Sequence, residues 1–398
     1  MQPVPKTSDP TEAELLQRAR DLLPSLRERA TAADQARSVP AATIGDIQAA
    51  GLLKILQPKR YGGYEMSPRV FFDVQMTLAE GCMSTAWVYG VLGVHPWQLA
   101  LFDVRAQDDV WDSDTSTLIG STYMPVGKVT RVEGGFKLSG RWAFSSGCDH
   151  VEWIFLGAMV PPAEEGAAPE YRTFMVPKAD FSIVDTWHTL GLKATGSQDI
   201  VVEDAFVPDY RTHRTRDDTT ASRPGIAINK SPIYLLPFMQ VFARAVSSAC
   251  IGGLQGAVNA FRESASRQVS RNMLGRTADD PSAQLVIAEA LTAVDQLKLT
   301  LARNMDDMVA HAERGEAAPI EDRLLYRYQS SQVPEICAQH VSRLLKSCGG
   351  SGVYLHHPVQ RYFLDIHTAR SHVANNVDMV GRNFGGVLLG LENRDPTV

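Results

Sequence analysis

Hydrophobic positions recur at helical spacing at both ends of the chain and in strand-like alternation in the middle. Leu15, Ala19, Leu22 and Leu26 form an apolar stripe behind Thr11-Glu12-Ala13-Glu14, which has the Thr-x-x-Glu order of a capping box. A short helix from about Ala41 is expected to end at Gly51. Ser67 and Ser84 stand where the N-caps of two further helices belong, with Glu80-Gly81 between them. From about Thr117 to Tyr210 the pattern is β. Val129–Gly140 surrounds a Gly134-Gly135 pair and predicts a hairpin, and Val151–Met159, Thr173–Val176 and Ile200–Val207 predict strands. Pro161–Pro169 reads as an exposed loop and 213–230 as a linker. From Pro232 helical periodicity returns, in segments near 235–268, 281–313, 320–347 and 366–391.

The β block is enclosed by helical regions, and nothing alternates β-α-β, which argues against a doubly wound parallel sheet. The expected fold class is mainly α with a central β domain. Its three parts are an N-terminal helical domain at 1–116, a middle β domain at 117–212 and a C-terminal helical bundle at 213–398.

Composition narrows the classes. Apolar residues make up 44% and charged residues 21% of the 398-residue chain, an ordinary globular balance. A net charge of −6 gives no general attraction to nucleic acid or to an anionic membrane, so neither is an expected partner. No apolar run was expected to reach the ~18 residues of a spanning helix. The five cysteines are scattered and form no Cys-x-x-Cys, which fits free thiols in the cytoplasm rather than a disulfide or zinc framework. Dinucleotide, P-loop and zinc-protease motifs are absent. His367 and His372 are five apart, about 140° around a helix, which is wrong for a shared metal ion.

Chemistry concentrates in Arg141–His150, which reads Arg-Trp-Ala-Phe-Ser-Ser-Gly-Cys-Asp-His. Aromatics, hydroxyls and a glycine between two strands suit a planar cofactor. Three other places join it: His95 before Pro96, Ser121 in Gly120-Ser-Thr-Tyr-Met-Pro125, and His372 with Asp365 and His367 upstream. Taken singly, each also fits a structural part: a core histidine, a strand-end hydroxyl, a turn, a buried ion pair.

Gly191-Leu-Lys-Ala-Thr-Gly-Ser-Gln-Asp through Pro208, together with Arg271-Asn-Met-Leu-Gly275, resembles segments of the acyl-CoA dehydrogenase superfamily. Gly81-Cys-Met-Ser-Thr-Ala-Trp87, Ser145-Ser-Gly-Cys-Asp-His150 and Asp365-Ile-His-x4-His372 resemble one branch of it. That branch is the group D flavin-dependent monooxygenases, oxygenase components of two-component systems such as those acting on 4-hydroxyphenylacetate and on 3-hydroxy-9,10-secoandrostatriene-dione. The glutamate that a dehydrogenase uses to take the α-proton of a thioester has no counterpart in His367-Thr-Ala-Arg-Ser-His372, so oxidation of an acyl-CoA is the weaker alternative. An N-, S- or indole-oxygenating relative is another.

The resemblance implies a helical domain, a middle β-barrel or sandwich and a C-terminal four-helix bundle, assembled as a homotetramer. It implies ortho hydroxylation of a small phenolic substrate with O2 through a flavin C4a-hydroperoxide, with diffusible reduced FMN or FAD supplied by a separate NAD(P)H:flavin reductase. In that scheme His95, Ser146 and His372 are catalytic: Ser146 donates a hydrogen bond to the flavin, His95 orients or deprotonates the phenol, and His372 holds its oxygen or relays a proton. Ser121 helps bind substrate. Trp142, Phe144, Ser145, Trp187, Thr195, Ser197 and Arg271 bind flavin.

Overall fold

The computed structural model describes residues 9–398 except 163–165, 167, 215–222, 268, 271–274 and 396–397. Six helices come first: α1 (Glu12–Asp21), α2 (Leu23–Ala36), α3 (Ala41–Ala49), α4 (Pro68–Ala79), α5 (Met83–Leu99) and α6 (Val104–Trp111). The capping box forms as the sequence predicts: the Glu14 amide donates to Thr11 Oγ1 at 3.3 Å and the Thr11 amide to Glu14 Oε2 at 2.7 Å. Ser67 caps α4 through the Arg69 amide. Ser84 does not cap α5. Cys82 holds the N-cap position without a side-chain bond, and Ser84 lies inside a helix of which every residue is buried. The start of α5 is therefore set by its enclosure among neighbours rather than by a cap.

The middle region contains β1 (Ile119–Val132), β2 (Gly135–Ser145), β3 (Trp153–Val160), β4 (Glu170–Pro177), β5 (Ser182–Val184), β6 (Gln198–Pro208) and β7 (Thr212–His213). They form one mixed sheet in the order β5-β6-β2-β1-β3-β4-β7. The β1–β2 hairpin closes at Gly134, whose φ of +75° favours glycine. Strand β1 is the pivot. Its last residues pair antiparallel with β2, its first residues pair parallel with β3, and the β3 ladder slips between Thr122 and Gly127. That slip frees Tyr123-Met124-Pro125 from regular pairing, and Pro125 has no amide to lose.

The remaining elements are α7 (Phe238–Ala245), α8 (Ser248–Arg267), two short strands β8 (Val269–Ser270) and β9 (Gly275–Arg276), α9 (Pro281–Glu313), α10 (Ile320–Ser347), α11 (Pro358–Ala369) and α12 (Val377–Leu388). Helices α8, α9, α10 and α11 pack together, and α4 and α5 lie against this group. Phe238–Ser266 is long and apolar enough to cross a membrane, against the sequence expectation, but 94% of its apolar window is buried inside the protein. It is core.

The segment expected as one helix over 366–391 is two. α11 stops at Ala369, a short turn over Val373–Asn375 intervenes, and α12 starts at Val377. Asn375 holds the break by donating to the carbonyls of Ala369 and Val246, both at 2.9 Å. His372 sits at this break.

Candidate active site

A cavity of about 1260 Å³ lies among α5, the β1 slip, the Phe144–Ser146 corner, the Trp187–Ser197 loop and helices α7, α10 and α12. It exceeds the roughly 300–1,000 Å³ that one small ligand needs.

One wall is a chain of hydroxyls. Trp87 Nε1 donates to Ser146 Oγ at 3.2 Å, Ser146 Oγ lies 2.7 Å from Ser197 Oγ, and Ser197 Oγ lies 2.7 Å from Thr195 Oγ1. Thr195 Oγ1 donates to the Leu192 carbonyl at 2.8 Å. Each hydroxyl has one proton, so the chain has a direction. Thr195 gives its proton to Leu192, Ser197 gives its own to Thr195, and Ser146 gives its own to Ser197. Ser146, which lines the cavity, therefore offers it a lone pair; to donate there its hydroxyl must turn away from Ser197.

The loop bearing Thr195 and Ser197 is pinned from afar. Asp365 on α11, 3% exposed, accepts the Leu192 amide at 2.6 Å. Burial first, then the charge of Asp34, raise its carboxyl to about 7. The Asp365 of the sequence motif thus anchors the hydroxyl wall.

Phe144 stands at the corner between β2 and Ser146. It is 62% exposed and has a φ of +68°, a strained left-handed backbone for a large side chain. Its ring meets Trp187 edge-on at 6.2 Å, and Trp187 Nε1 donates to the Leu192 carbonyl at 2.9 Å. An exposed aromatic held in a strained corner beside a polar wall fits a flat, partly polar cofactor.

Two histidines border the site in opposite tautomers. His372 lines the cavity, its ring 5.7 Å from Trp87, and its Nδ1 accepts the Ala374 amide at 3.1 Å. In the neutral ring the proton is then on Nε2. Burial first, then the nearby Arg327 charge, push this histidine down to about 4, so it is neutral at physiological pH. His95, inside α5, is fully buried. Its Nδ1 donates to the Ile119 carbonyl at 2.5 Å, and its Nε2 has no partner among the described residues. Burial pushes it to about 4 as well.

His95 is not part of the cavity lining. Tyr123, which is, meets its ring edge-on at 6.4 Å. The Tyr123 hydroxyl is engaged by Gln98. Ser121 lines the cavity two residues before Tyr123.

Two of the expected flavin contacts lie elsewhere. Trp142 is fully buried in the sheet, donates from Nε1 to the Gly157 carbonyl at 2.9 Å, and covers Gly127 so closely that a Cβ there would come within 2.6 Å of its ring. The alternation of β2 turns it to the core side, away from the cavity. The β2–β6 register slips between Trp142 and Ser145, so Ser145 also turns inward, fully buried and without a partner among the described residues. Phe144, Ser146, Trp187, Thr195 and Ser197 do share the cavity, and Arg271 lies outside the described residues. Cys148, in a short turn over Cys148–His150, is buried against the Gly196 carbonyl, and its thiol is pushed up to about 12, chiefly by burial. Buried and held protonated at neutral pH, it is not set up as a nucleophile. All five cysteines are free and buried, and no metal-binding cluster exists among the described residues.

Trp87, Tyr123, Phe242 and Arg327 line the cavity without having been given a role from the sequence, although Trp87 and Tyr123 stand in the quoted motifs. Trp87 and Phe242 lie in apolar runs that read as core, and Tyr123 stands two residues from Ser121. Arg327 carried a signal: it falls on the buried stripe of α10 with Leu324, Ser331 and Pro334.

Comparison with known proteins places this architecture in a class. The N-terminal domain of acyl-CoA dehydrogenases matches residues 9–109 and the C-terminal domain matches 245–377. The flavin-dependent monooxygenase oxygenase subunit HsaA of Rhodococcus jostii is 35% identical over 96% of this chain and 100% of its own. The FADH(2)-dependent resorcinol hydroxylase, oxygenase component, of Rhizobium sp. is 33% identical over 92% of this chain and 91% of its own. The crystal structure of the HsaA monooxygenase from M. tuberculosis superposes with a TM-score of 0.92 at 34% identity, covering 98% of this chain and 100% of that one.

The chain has the acyl-CoA dehydrogenase fold. Within it, the chain belongs to the flavin-dependent monooxygenases, as an oxygenase subunit whose cofactor is a flavin.

Proposed function

We propose that this enzyme hydroxylates a phenolic substrate ortho to its hydroxyl, using O2 and reduced FMN or FAD delivered by a separate NAD(P)H:flavin reductase, and that it works as a homotetramer. The observation that carries the reading is the pairing of a directed hydroxyl wall with a neutral histidine across one cavity. Bound reduced flavin supplies the two electrons with which O2 is split, one oxygen atom going to the ring carbon and the other to water.

Ser146, Ser197 and Thr195 would hold the polar edge of the flavin, and Phe144 and Trp187 its face. The Ser146 lone pair accepts an N–H. Turned away from Ser197, the same hydroxyl donates, so one residue serves both hydrogen-bonding states with little movement. Closure by Trp87, Phe238 and Phe242 keeps water from the reacting centre.

His372 presents Nε2–H, a donor that holds a phenol or phenolate oxygen. It is not poised as a base, because its lone pair is spent on the Ala374 amide. His95 has the lone pair that a base needs, and its use requires Tyr123 to move from between it and the cavity. Ser121 adds a hydroxyl beside Tyr123.

The test is product analysis with NADH, a flavin reductase and a panel of phenols. Catechols labelled from 18O2 are expected. Release of only H2O2 with every phenol, or reduction of tightly bound flavin by an acyl-CoA, overturns the reading.

A further inference from the structure

The helical side of the cavity carries buried cationic groups whose hydrogen bonds are unfilled. Arg327 on α10 and Arg244 on α7 are each 1% exposed. Nε and Nη1 of Arg327, and Nη1 of Arg244, have no hydrogen-bond partner among the described residues. Arg244 Nη2 reaches only the Tyr326 carbonyl, at 3.4 Å. Neither guanidinium forms an ion pair among the described residues; Asp395, in the segment after α12, acts on Arg327 only through space. Burial and the neighbouring Arg327 charge pull Arg244 down to about 9, the response of a cation lacking its counter-ion.

Buried arginines are normally paired, and an unpaired one is costly. Here two lie side by side, and Arg327 lines the cavity that holds His372, Ser121 and Ser146. The other charged lining groups, Arg382 and Arg394 against Asp378, Glu392 and Asp395, leave one net negative charge that Arg327 balances, but all of them except the half-buried Asp395 are exposed to water. The buried guanidinium without a contact partner is therefore Arg327. A guanidinium offers parallel N–H donors whose spacing suits the two oxygens of a carboxylate.

We propose that Arg327, backed by Arg244, forms a subsite for a carboxylate carried by the aromatic substrate. The substrate class is then a phenol with an acidic side chain, its hydroxyl at His372 and its carboxylate at the α10 floor. Calling the ligand a substrate rests on the monooxygenase reading; the anion subsite rests on the buried arginines alone.

The experiment is calorimetric binding of 4-hydroxyphenylacetate and 3-(4-hydroxyphenyl)propanoate, each against its own carboxamide, with and without reduced flavin. Wild type is expected to bind at least one acid ten- to a hundredfold more tightly than its amide, the range of a charge-assisted hydrogen bond. Arg327→Met should bring that ratio to within about twofold, and Arg327→Lys, which keeps charge but loses the fork, should leave an intermediate ratio. Near-equal binding of acid and amide by wild type overturns the proposal without any variant, as does a preference that survives in Arg327→Met. A tenfold loss of reduced-flavin affinity in Arg327→Met, with the acid preference untouched, places a flavin phosphate at Arg327 and also overturns it. Hydroxylation of neutral phenols separates the two readings: present without acid preference, the subsite fails and the enzyme stands; absent while acids bind through Arg327, the reverse holds.

Discussion

His372 lines the cavity and His95 lies behind its Tyr123 wall; both rings are pushed to about 4, chiefly by burial, and they do opposite things. His95 lies within an apolar helix, gives its Nδ1 proton to a strand carbonyl and keeps an unused lone pair behind Tyr123. His372 lies at a helix break, spends its Nδ1 lone pair on an amide and shows a proton to the cavity. The residue type is constant, and the neighbouring backbone group selects the tautomer. A histidine's role in such a site follows from what its other nitrogen is bonded to, before any consideration of its pKa.

The strongest way to break the contrast is His372→Asn. Asparagine can still cap the turn at Ala374 but has lost the Nε2–H, so hydroxylation should fall about a hundredfold or more with little change in melting temperature. Wild-type turnover in that variant would reduce His372 to a cap. His95→Gln instead removes the basic lone pair, since an amide oxygen accepts hydrogen bonds but takes no proton. A loss of about a hundredfold at neutral pH is expected, shrinking as the medium approaches the phenol's own pKa of about 10, where the substrate ionises unaided. A pH-independent defect would make His95 purely structural.

The same variant tests the burial of His95. Its folded pKa lies below the unfolded value near 6.5, so the unfolded chain binds the extra proton as pH falls. The stability that this ring's neutrality confers is complete above pH 6.5 and is lost progressively down to about pH 4. Wild type should therefore lose on the order of 3 kcal/mol more than His95→Gln across that window in denaturant titrations. Equal slopes would mean that the ring is solvated.

Ser197→Ala cuts the hydroxyl wall. Ser146 loses its acceptor, and affinity for reduced flavin should fall about tenfold, read by anaerobic titration. The smallest effect is expected for Trp142→Phe, about 1 kcal/mol of stability from the lost bond to Gly157 with flavin affinity unchanged. A large drop in flavin affinity there would return Trp142 to the cofactor site.

Legibility in the sequence followed locality. Thr11 and Glu14 are three apart, so their reciprocal bonds show in the spelling of the segment, and so does the Gly134 hairpin. The Ser145-Ser146 and Thr195-Gly196-Ser197 clusters stood out because several hydroxyls crowd into short loops. Ser84 was misread because a cap signal inside an apolar helix has no meaning once the whole helix is enclosed. Trp142 was misread because composition does not say which face of a strand meets the cavity. Arg327 was overlooked among charged neighbours, although its spacing puts it on the stripe of Leu324, Ser331 and Pro334.

By itself the sequence determined the helical, β and helical regions, most of the helix and strand signals within them, and the crowding of hydroxyls that marks one wall of the cavity. These depend on residues within a few positions of one another. The tertiary structure decided which way each ring and hydroxyl faces, and therefore which atom carries the proton. Those choices are made by partners far along the chain, Ile119 for His95 at 24 positions and Leu192 for Asp365 at 173, and by the burial that leaves two Arg327 nitrogens without a hydrogen-bond partner among the described residues.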